Sequence, residues 1–291
     1  MIRLFAADLD GTLLNSGSEL EQETAEAIKA FQEQGGIFMV ATGRNVWEYS
    51  DVREQVSDVI SNCLNGTVLY DKEDREILSF PVTEEAVRRF DGFIRKHQLP
   101  AIYHSETCRY CHLSEEELQN TVIDFLIKEE GFSKEKAKEF YRYVFDDGRT
   151  VYSSSLEDVL SSRIFKMEAF FIENGRYPET IRICEELFPE HNVVNGSFYG
   201  NIEVTGMESD KGKLIKEYCR LIGIQEDEVA VIGDSGNDIG MLKGFRNSYA
   251  MKNAPKEVKD AAVYIADDND SFGAAKVLRE ICRRNREEAD A

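Results

Sequence analysis

The amino-acid sequence predicts an α/β protein whose parallel sheet domain is interrupted by an inserted α+β domain. Short apolar runs alternate with amphipathic segments near both ends of the chain, a pattern typical of strands joined by helical crossovers. Between these parts the alternation stops, and long helical stretches mix with strand-like runs. We therefore expect a core domain formed by residues 1–81 and 191–291 and an inserted domain formed by residues 82–190.

The first part of the chain carries three strand signals and one helix signal. Residues 2–7 are a short apolar run that ends in a turn, as expected for a buried parallel strand. Residues 21–34 place apolar side chains on one face, and the glycine pair after them is typical of a helix end. A second apolar run covers residues 37–41, and a weaker one at residues 59–60 leads into the turn signal Asn65-Gly66. These elements predict parallel strands with right-handed crossovers.

The middle part of the chain is predicted to be a mixture of helices and strands. Residues 192–204 are interpreted as a hairpin that turns at Asn195-Gly196. The predicted helices span residues 84–97, 114–130, 134–143 and 177–187, and the strand-like segments span residues 103–112 and 163–172.

The strand–helix alternation returns in the last part of the chain. Its elements have the lengths and apolar patterns of a second half of the parallel sheet. The predicted helices span residues 211–221 and 272–284 with a short one starting at 239–242, and the predicted strands span residues 229–233, 247–251 and 262–266.

The composition excludes several classes of function. The 291 residues include 55 acidic and 35 basic ones, so the net charge is −20. Such a surface repels nucleic acids and anionic membranes unless basic residues are concentrated in one patch, and only short basic clusters occur. No segment has the pattern of a signal peptide or the length of a membrane span. We therefore expect a cytoplasmic protein that binds neither nucleic acid nor membrane and keeps its six cysteines as free thiols.

Four polar, glycine-containing segments follow predicted strands or open the helix that re-enters the core domain. Ligands bind beyond the carboxyl ends of the strands in open α/β sheets, so these segments mark the expected site. They are Asp8-Leu9-Asp10-Gly11-Thr12, Thr42-Gly43-Arg44, Asp210-Lys211-Gly212 and Gly233-Asp234-Ser235-Gly236-Asn237-Asp238.

The residue types in these segments suit phosphoryl transfer. Asp8 is placed to attack phosphorus as a carboxylate nucleophile. Asp10, two residues on, is placed to protonate the leaving oxygen and later to deprotonate the hydrolytic water.

The segments also contain residues that can bind a cation, supply positive charge or donate hydrogen bonds to a phosphate. Asp8 and Asp234 can bind a hard cation such as Mg²⁺, which prefers oxygen ligands. The cation and Lys211 would hold Asp8 ionised beside a phosphate. Thr42 and Asn237 can donate hydrogen bonds to the equatorial phosphate oxygens, which carry charge in the transition state.

These segments resemble the four motifs of the haloacid dehalogenase superfamily, specifically its Cof-like type IIB phosphatases. The matching residues are 8–14, 41–44, 211–212 and 233–238. Asn65-Gly66 and Met251-Lys252-Asn253-Ala254 are further points of similarity, although glycine is commoner than lysine at position 252. The resemblance spans nearly the whole chain and implies a Rossmann-like core domain with a large inserted cap of the C2 type.

The resemblance also implies roles for individual residues. Asp8 would be the nucleophile, and Asp10 the general acid and base as well as a magnesium ligand through its main-chain carbonyl. Asp234 would bind the metal directly, and Asp238 through water or through the direct ligands. The expected catalytic residues are thus Asp8, Asp10, Thr42 and Lys211, the phosphate-binding residues Leu9, Thr42, Gly43, Lys211 and Asn237, and the metal-binding residues Asp8, Asp10, Asp234 and Asp238.

We therefore expect a Mg²⁺-dependent phosphatase that acts on small phosphorylated metabolites through an aspartyl-phosphate. Sugar phosphates, nucleotides and cofactor phosphates are the substrate classes that the resemblance implies. A phosphomutase would share the intermediate, and a non-catalytic sensor of phosphorylated metabolites would share the fold. The sensor is disfavoured because Asp8 and Asp10 are both present. Arg163 and Lys166, on a predicted strand of the inserted domain, are open to two interpretations: contact with a second anionic group of the substrate, or solvation.

One further cluster lies in the inserted domain. His97, His104, Cys108, Cys111 and His112 are close in sequence. Residues 108–112 match a haem-attachment pattern, but covalent haem is not expected without an export signal. Zinc is an alternative, because Cys and His are its usual ligands. Successive residues of a strand point to opposite faces, so ordinary cap or substrate-facing side chains remain the simpler interpretation.

Overall fold

The structure is a computed structural model that describes residues 1–170, 172–173, 175–195 and 200–289. The chain forms two compact units, one from Met1–Ser79 with Glu208–Ala291 and the other from Phe80–Met207. The second boundary lies at Met207 and not at the expected residue 190, because both strands of the predicted hairpin pair within the sheet of the second unit. The turn of that hairpin at Gly196 lies outside the described residues.

Strands occur throughout the described residues. In chain order they are Leu4–Ala7 (β1), Ile37–Ala41 (β2), Ile60–Cys63 (β3), Val68–Tyr70 (β4), Glu76–Ser79 (β5), Ala101–Ser105 (β6), Arg109–Cys111 (β7), Thr150–Val151 (β8), Ile164–Ala169 (β9), His191–Asn195 (β10), Ile202–Gly206 (β11), Val229–Gly233 (β12), Asn247–Ala250 (β13) and Tyr264–Ile265 (β14).

Most of the helices agree closely with the predicted segments. In chain order they are Gln22–Glu33 (α1), Ser50–Gln55 (α2), Glu84–His97 (α3), Glu115–Glu130 (α4), Lys134–Phe145 (α5), Leu156–Leu160 (α6), Tyr177–Leu187 (α7), Lys211–Ile222 (α8), Ile239–Gly244 (α9), Lys256–Lys259 (α10) and Gly273–Ala289 (α11). Three short helices, α2, α6 and α10, were not predicted. Short 3₁₀ turns add Val46–Tyr49, Glu226–Glu228, Gly236–Asp238 and Asn269–Ser271.

The first unit is built on an eight-stranded sheet, which confirms the predicted α/β class. Its order is β14-β13-β12-β1-β2-β3-β4-β5, and every pairing from β14 to β3 is parallel. The last two strands, β4 and β5, pair antiparallel and extend the sheet at one edge. The sequence patterns did not predict them, because both are short and β5 is only partly buried.

Strand β1 lies at the centre of this sheet, between β12 and β2. All four of its residues are buried, as the continuous apolar run predicted. Phe5 packs edge-on against Phe31 of α1 and stacked against Phe38 of β2, with ring centroids 6.2 and 6.5 Å apart. Because β12, β1 and β2 are neighbours and parallel, their carboxyl ends lie together at one edge of the sheet.

The second unit is built on a six-stranded sheet of order β10-β11-β9-β6-β7-β8. All its pairings are antiparallel except that of β7 with β8. One apolar cluster packs α3 and α7 against the sheet, and a second packs α4 and α5 against it. The α+β character predicted for the inserted segment is therefore present.

A buried ionic cluster lies on the sheet of the second unit. The Lys166 ammonium is 3.0 Å from a Glu203 carboxylate oxygen and 3.5 Å from one of Glu168. Glu168 also pairs with His104 at 2.9 Å and accepts a hydrogen bond from the Asn201 amide. Burial disfavours the Glu168 carboxylate, but Lys166 and His104 outweigh it and hold the pKa of Glu168 below its ordinary value. Lys166 is thus held by carboxylates of its own unit.

Arg163, the other basic residue of the predicted strand, lies in a more exposed environment. Arg163 pairs with Glu106 at 2.8 Å, and both side chains are about half exposed. Of the two interpretations, solvation therefore applies to the partly exposed Arg163 but not to the buried Lys166.

The structure bears on the state of the cysteines and on membrane-spanning helices. All six cysteines are free thiols, as predicted. No helix among the described residues is long and apolar enough to cross a membrane.

Lys166→Met should destabilise the protein strongly, because it leaves Glu168 and Glu203 buried without their shared cation. Removing one partner of a buried ion pair costs about 3–5 kcal/mol. The matched control is Lys128→Met, which breaks the exposed Lys128–Glu173 pair of the same unit and should leave stability almost unchanged. Urea denaturation followed by circular dichroism measures both, and equal midpoints for the two variants would contradict the assignment.

Candidate active site

The site is centred on a buried lysine between two carboxylates. The Lys211 ammonium is 2.7 Å from an oxygen of Asp8 and 2.7 Å from an oxygen of Asp238. Lys211 and Asp238 are fully buried, and the Asp8 side chain is 7% exposed. Asp8 directly follows β1, whereas Lys211 opens α8, so the contact joins the two segments of the chain that make up the first unit.

The loop after β12 brings two further carboxylates close to Asp8. Asp234 accepts a hydrogen bond of 3.0 Å from the Thr12 hydroxyl. One oxygen of Asp238 accepts from the main-chain amides of Asp234 and Ser235, both at 2.9 Å, while the other accepts from Lys211. Asp238 therefore orders the loop and the lysine with both of its oxygens.

A wide helical turn over Leu9–Leu13 carries the first motif away from β1. Gly11 has φ +74° in this turn, the left-handed region that glycine occupies without strain. A Cβ atom at Gly11 would also collide with the Asp234 carboxylate. The Asn253 amide supports the turn by donating to the Gly11 carbonyl at 2.8 Å.

The start of α8 is fixed by its cap and by close packing. Asp210 is the N-cap, and its carboxylate accepts from the Lys213 amide at 2.8 Å. Gly212 allows the helix to approach α9, since a Cβ there would lie 2.7 Å from the Met241 Cα. The Asn62 side chain donates to the Lys211 carbonyl at 3.0 Å. These contacts fix the main chain from which the Lys211 side chain reaches Asp8.

A polar network connects the ends of β2, β3 and β12. The Thr42 amide donates to the Asn62 carbonyl at 2.8 Å, and the Asn65 amide donates to the Thr42 carbonyl at 3.0 Å. The Asn237 amide group donates to the Asn65 side-chain oxygen at 2.9 Å and accepts from the Ser235 hydroxyl. Gly43 lies against Asn65, whose side-chain oxygen would be 2.9 Å from a Cβ at that position.

Asp10 is the most exposed carboxylate of the site, with a side chain 49% exposed. The Arg44 guanidinium forms a bidentate ion pair with this carboxylate: Nε lies 2.9 Å from one oxygen, and Nη2 contacts the other. The sequence reasoning assigned no role to Arg44.

Burial and mutual repulsion shape the electrostatics of the carboxylates. Burial raises the pKa of Asp8 well above its ordinary value; Lys211 opposes the rise, and Asp238 and Asp234 add to it. Burial also raises the pKa of Asp234 to about 7, with Asp238 adding to the rise and the Thr12 hydrogen bond opposing it. Burial disfavours the Lys211 ammonium, but Asp238 and Asp8 outweigh it and hold the pKa of Lys211 above its ordinary value.

The donor set of the site fits a divalent cation. One oxygen each from Asp8, Asp234 and Asp238 lie within 4.8 Å of one another. With Asp10, the site holds four carboxylates against two cationic side chains, Lys211 and Arg44, which leaves two negative charges when all are ionised. Burial is the main cause of the raised pKa values of Asp8 and Asp234, and repulsion between the carboxylates adds to it. A bound cation would relieve that repulsion.

The structure brings together most of the residues that the sequence singled out. Asp8, Lys211, Asp234 and Asp238 form one cluster, with Asp10 near enough to raise the pKa of both Asp8 and Asp234. Thr42, Gly43 and Asn237 belong to the adjoining network, and Leu9 is fully buried beside Asp8.

Sequence reasoning missed some residues that support the site. Asn62 and Arg44 were given no role, although each contacts a predicted site residue. Arg44 stands inside the second motif, so its position was a usable signal. A buried asparagine in a strand carries no such signal until the neighbouring helix is placed.

Among the described residues of the inserted segment, the histidines and cysteines do not converge into a group that could hold a metal ion. His104 pairs with Glu168, and Cys108 lies 3.4 Å from the Ser105 hydroxyl. Cys111 is buried in an apolar cluster, and burial raises its pKa to about 11. Within the described part of the chain, three or more metal-binding side chains converge only at Asp8, Asp234 and Asp238.

A family model for haloacid dehalogenase-like hydrolases matches residues 5–278, nearly the whole chain.

Curated relatives and solved structures agree with that match. A 5-amino-6-(5-phospho-D-ribitylamino)uracil phosphatase of Bacillus subtilis is 22% identical, over 96% of this chain and 98% of its own length. The phosphatase YwpJ of Bacillus subtilis is 24% identical, over 96% of this chain and its whole length. A solved haloacid dehalogenase-like hydrolase from B. subtilis superposes with a TM-score of 0.81 at 21% identity, covering 96% of this chain and 99% of that one.

The affinity for a divalent cation should rise with pH between about 6 and 8 and then level off. The cation must displace the proton that the raised pKa of about 7 keeps on Asp234 at lower pH. Thr12→Val removes the hydrogen bond that opposes this rise in the pKa, so it should move the transition to higher pH. Titration calorimetry at several pH values measures the Mg²⁺ affinity of the wild type and of Thr12→Val. An affinity that does not change with pH would contradict the role of the Asp234 proton.

Proposed function

The chain belongs to the haloacid dehalogenase-like hydrolase family, and we propose that it is a Mg²⁺-dependent phosphatase of small phosphorylated metabolites. The observation that carries the proposal is the buried Asp8 carboxylate, which is paired with Lys211 and surrounded by metal-binding oxygens. Asp8 would form an aspartyl-phosphate during turnover.

The first chemical step uses Asp8 and Asp10. Lys211 contacts one oxygen of Asp8, which leaves the second oxygen to attack phosphorus. A bond forms between that oxygen and phosphorus while the bond to the leaving oxygen breaks, and Asp10 supplies the proton that the leaving oxygen takes up.

The second step returns the enzyme to its starting state. Asp10, now ionised, removes a proton from a water molecule that attacks phosphorus. The bond between phosphorus and Asp8 breaks, inorganic phosphate leaves, and Asp10 is again protonated. Lys211 stabilises the Asp8 carboxylate that reappears.

Asp8, Asp234 and the Asp10 main-chain carbonyl would hold the cation, with Asp238 ordering Asp234 and Lys211 around it. Mg²⁺ suits these hard oxygen ligands. When bound, it supplies positive charge that offsets the repulsion between the carboxylates and the substrate phosphate.

The phosphate oxygens would be held by donors around Asp8. The Thr42 hydroxyl accepts from the Arg44 amide at 3.1 Å and keeps its own hydrogen for the substrate. Asn237 uses one amide hydrogen on Asn65 and has a second. Lys211 and the main-chain amides of Leu9 and Gly43 would complete the set, as the four motifs predict.

The substrate is proposed to be a small metabolite. A relative named as a phosphatase of a phosphorylated ribitylaminouracil supports this class. Sugar phosphates, nucleotides and cofactor phosphates all remain within the proposal. The location is proposed to be the cytoplasm.

Asp8→Asn should abolish phosphate release, because a neutral amide is not a nucleophile at phosphorus. The assay uses a panel of phosphorylated metabolites with Mg²⁺ and with chelator, and chelator should also stop the wild type. Asp51→Asn, which changes an exposed aspartate of α2, is the matched control and should keep full activity.

Covalent labelling adds an independent readout. Acid quenching during turnover of a ³²P-labelled substrate should leave label on the wild type that hydroxylamine removes, and none on Asp8→Asn. Full activity in Asp8→Asn would overturn the nucleophile assignment. Absence of release from every panel member would favour the mutase or the sensor, which dependence on a bisphosphate activator then separates.

A further inference from the structure

The Arg44–Asp10 pair differs from an ordinary surface ion pair. Arg44 uses Nε and Nη2 on the two oxygens of one carboxylate, and its remaining nitrogen, Nη1, donates to the Glu48 carbonyl at 3.1 Å. The Arg44 side chain is 22% exposed, so most of it is covered by the protein. A planar guanidinium held in this way fixes both the position and the plane of the carboxylate.

The main chain on both sides of Arg44 is also fixed. The Arg44 amide donates to the Thr42 hydroxyl, and its carbonyl accepts from the Leu64 amide at 3.1 Å. The next residue, Asn45, is fully buried and caps the following turn, where the Glu48 carboxylate accepts from the Asn45 amide at 2.6 Å. The guanidinium therefore projects from an ordered support.

Asp10 lacks such support of its own. Its carboxylate is about half exposed, and Asp10 precedes Gly11 in the wide turn after β1. An unsupported aspartate there could adopt several rotamers. The paired carboxylate can still bind a proton and transfer it, because each oxygen has a second lone pair that the guanidinium does not use.

We propose that Arg44 is a positioning residue, which holds the Asp10 carboxylate in the orientation for proton transfer to the leaving group. This inference rests on the proposed phosphatase function. It differs from two other roles of an arginine near a phosphate: direct binding of the substrate phosphate, and general support of the loop. Only positioning makes the effect of Arg44 depend on how much the leaving group needs a proton.

The test compares two leaving groups. p-Nitrophenyl phosphate releases a stable anion that departs without a proton, whereas an alkyl phosphate releases an alkoxide that needs one. The alkyl substrate is the member of the metabolite panel that the wild type hydrolyses fastest. The measured quantity is kcat/KM, which reports the steps up to departure of the leaving group.

Asp10→Asn sets the reference pattern. It should lower kcat/KM for the alkyl phosphate by about 10²–10⁴-fold, the usual contribution of a general acid, and that for p-nitrophenyl phosphate far less. Arg44→Met should reproduce this selectivity with a loss of about 10²-fold for the alkyl phosphate, as expected for a misplaced catalytic group. Arg44→Lys should behave like Arg44→Met, because a lysine cannot grip both oxygens in one plane.

Two controls separate positioning from other effects. Arg75→Met removes another arginine that pairs with an aspartate, on the turn between β4 and β5, and should change neither substrate. The double variant Arg44→Met/Asp10→Asn should be no slower on the alkyl phosphate than Asp10→Asn alone, since Arg44 acts only through Asp10.

The outcomes distinguish this inference from the proposed function. A wild type that hydrolyses neither substrate overturns the phosphatase proposal itself. A wild type that hydrolyses both, with equal losses on the two substrates in Arg44→Met, overturns the positioning role and assigns Arg44 to phosphate binding or loop support. Multiplying losses in the double variant would overturn it as well.

Discussion

The ion pair of Lys211 with Asp8 and Asp238 is the contact on which the rest of the site depends. It joins β1, at the start of the chain, to α8, which follows the inserted unit, and to the loop after β12. A buried ammonium without carboxylates, or these buried carboxylates without the ammonium, would be strongly destabilising. The adjacency of β12 and β1 in the sheet makes the contact possible, because it places the loop that carries Asp238 beside Asp8.

A buried lysine between two carboxylates occurs in each unit, but with opposite electrostatic results. In the second unit, Lys166 and His104 hold the pKa of Glu168 below its ordinary value, so that cluster is well compensated. In the first unit, burial and neighbouring carboxylates raise the pKa of Asp8 and of Asp234 despite Lys211. A compensated cluster stabilises a fold, whereas an excess of carboxylate charge is a reason to bind a cation.

Support and reactivity are divided between different residues of the site. Asp238 uses both oxygens to order Lys211 and the loop after β12, and Asn62 and Asn65 connect the ends of neighbouring strands. Asp10 stays half exposed and receives its support from Arg44. The supporting residues are thus ordered and mostly buried, whereas the Asp10 carboxylate is exposed to solvent. This arrangement suits proton transfer to and from a bound molecule.

The sequence alone predicted the fold class and the family, which the structure and the family match confirm, and it proposed a set of chemically active residues. Apolar runs of strand length ended at Asp8, Thr42 and Asp234, and that order at the ends of parallel strands leaves few other arrangements. Local patterns also predicted Glu84–His97 and Val229–Gly233 with the bounds that the structure has.

Only the tertiary structure decided which side chains meet. Lys166 appeared as a possible substrate contact until the pairing of β9 with β11 placed it against Glu203, and the boundary at Met207 depended on the same pairing. The grip of Arg44 on Asp10 joins residues from two different loops. Sequence periodicity reports which face of an element is buried, but it contains no information on the register and loop geometry that bring distant charges to hydrogen-bonding distance.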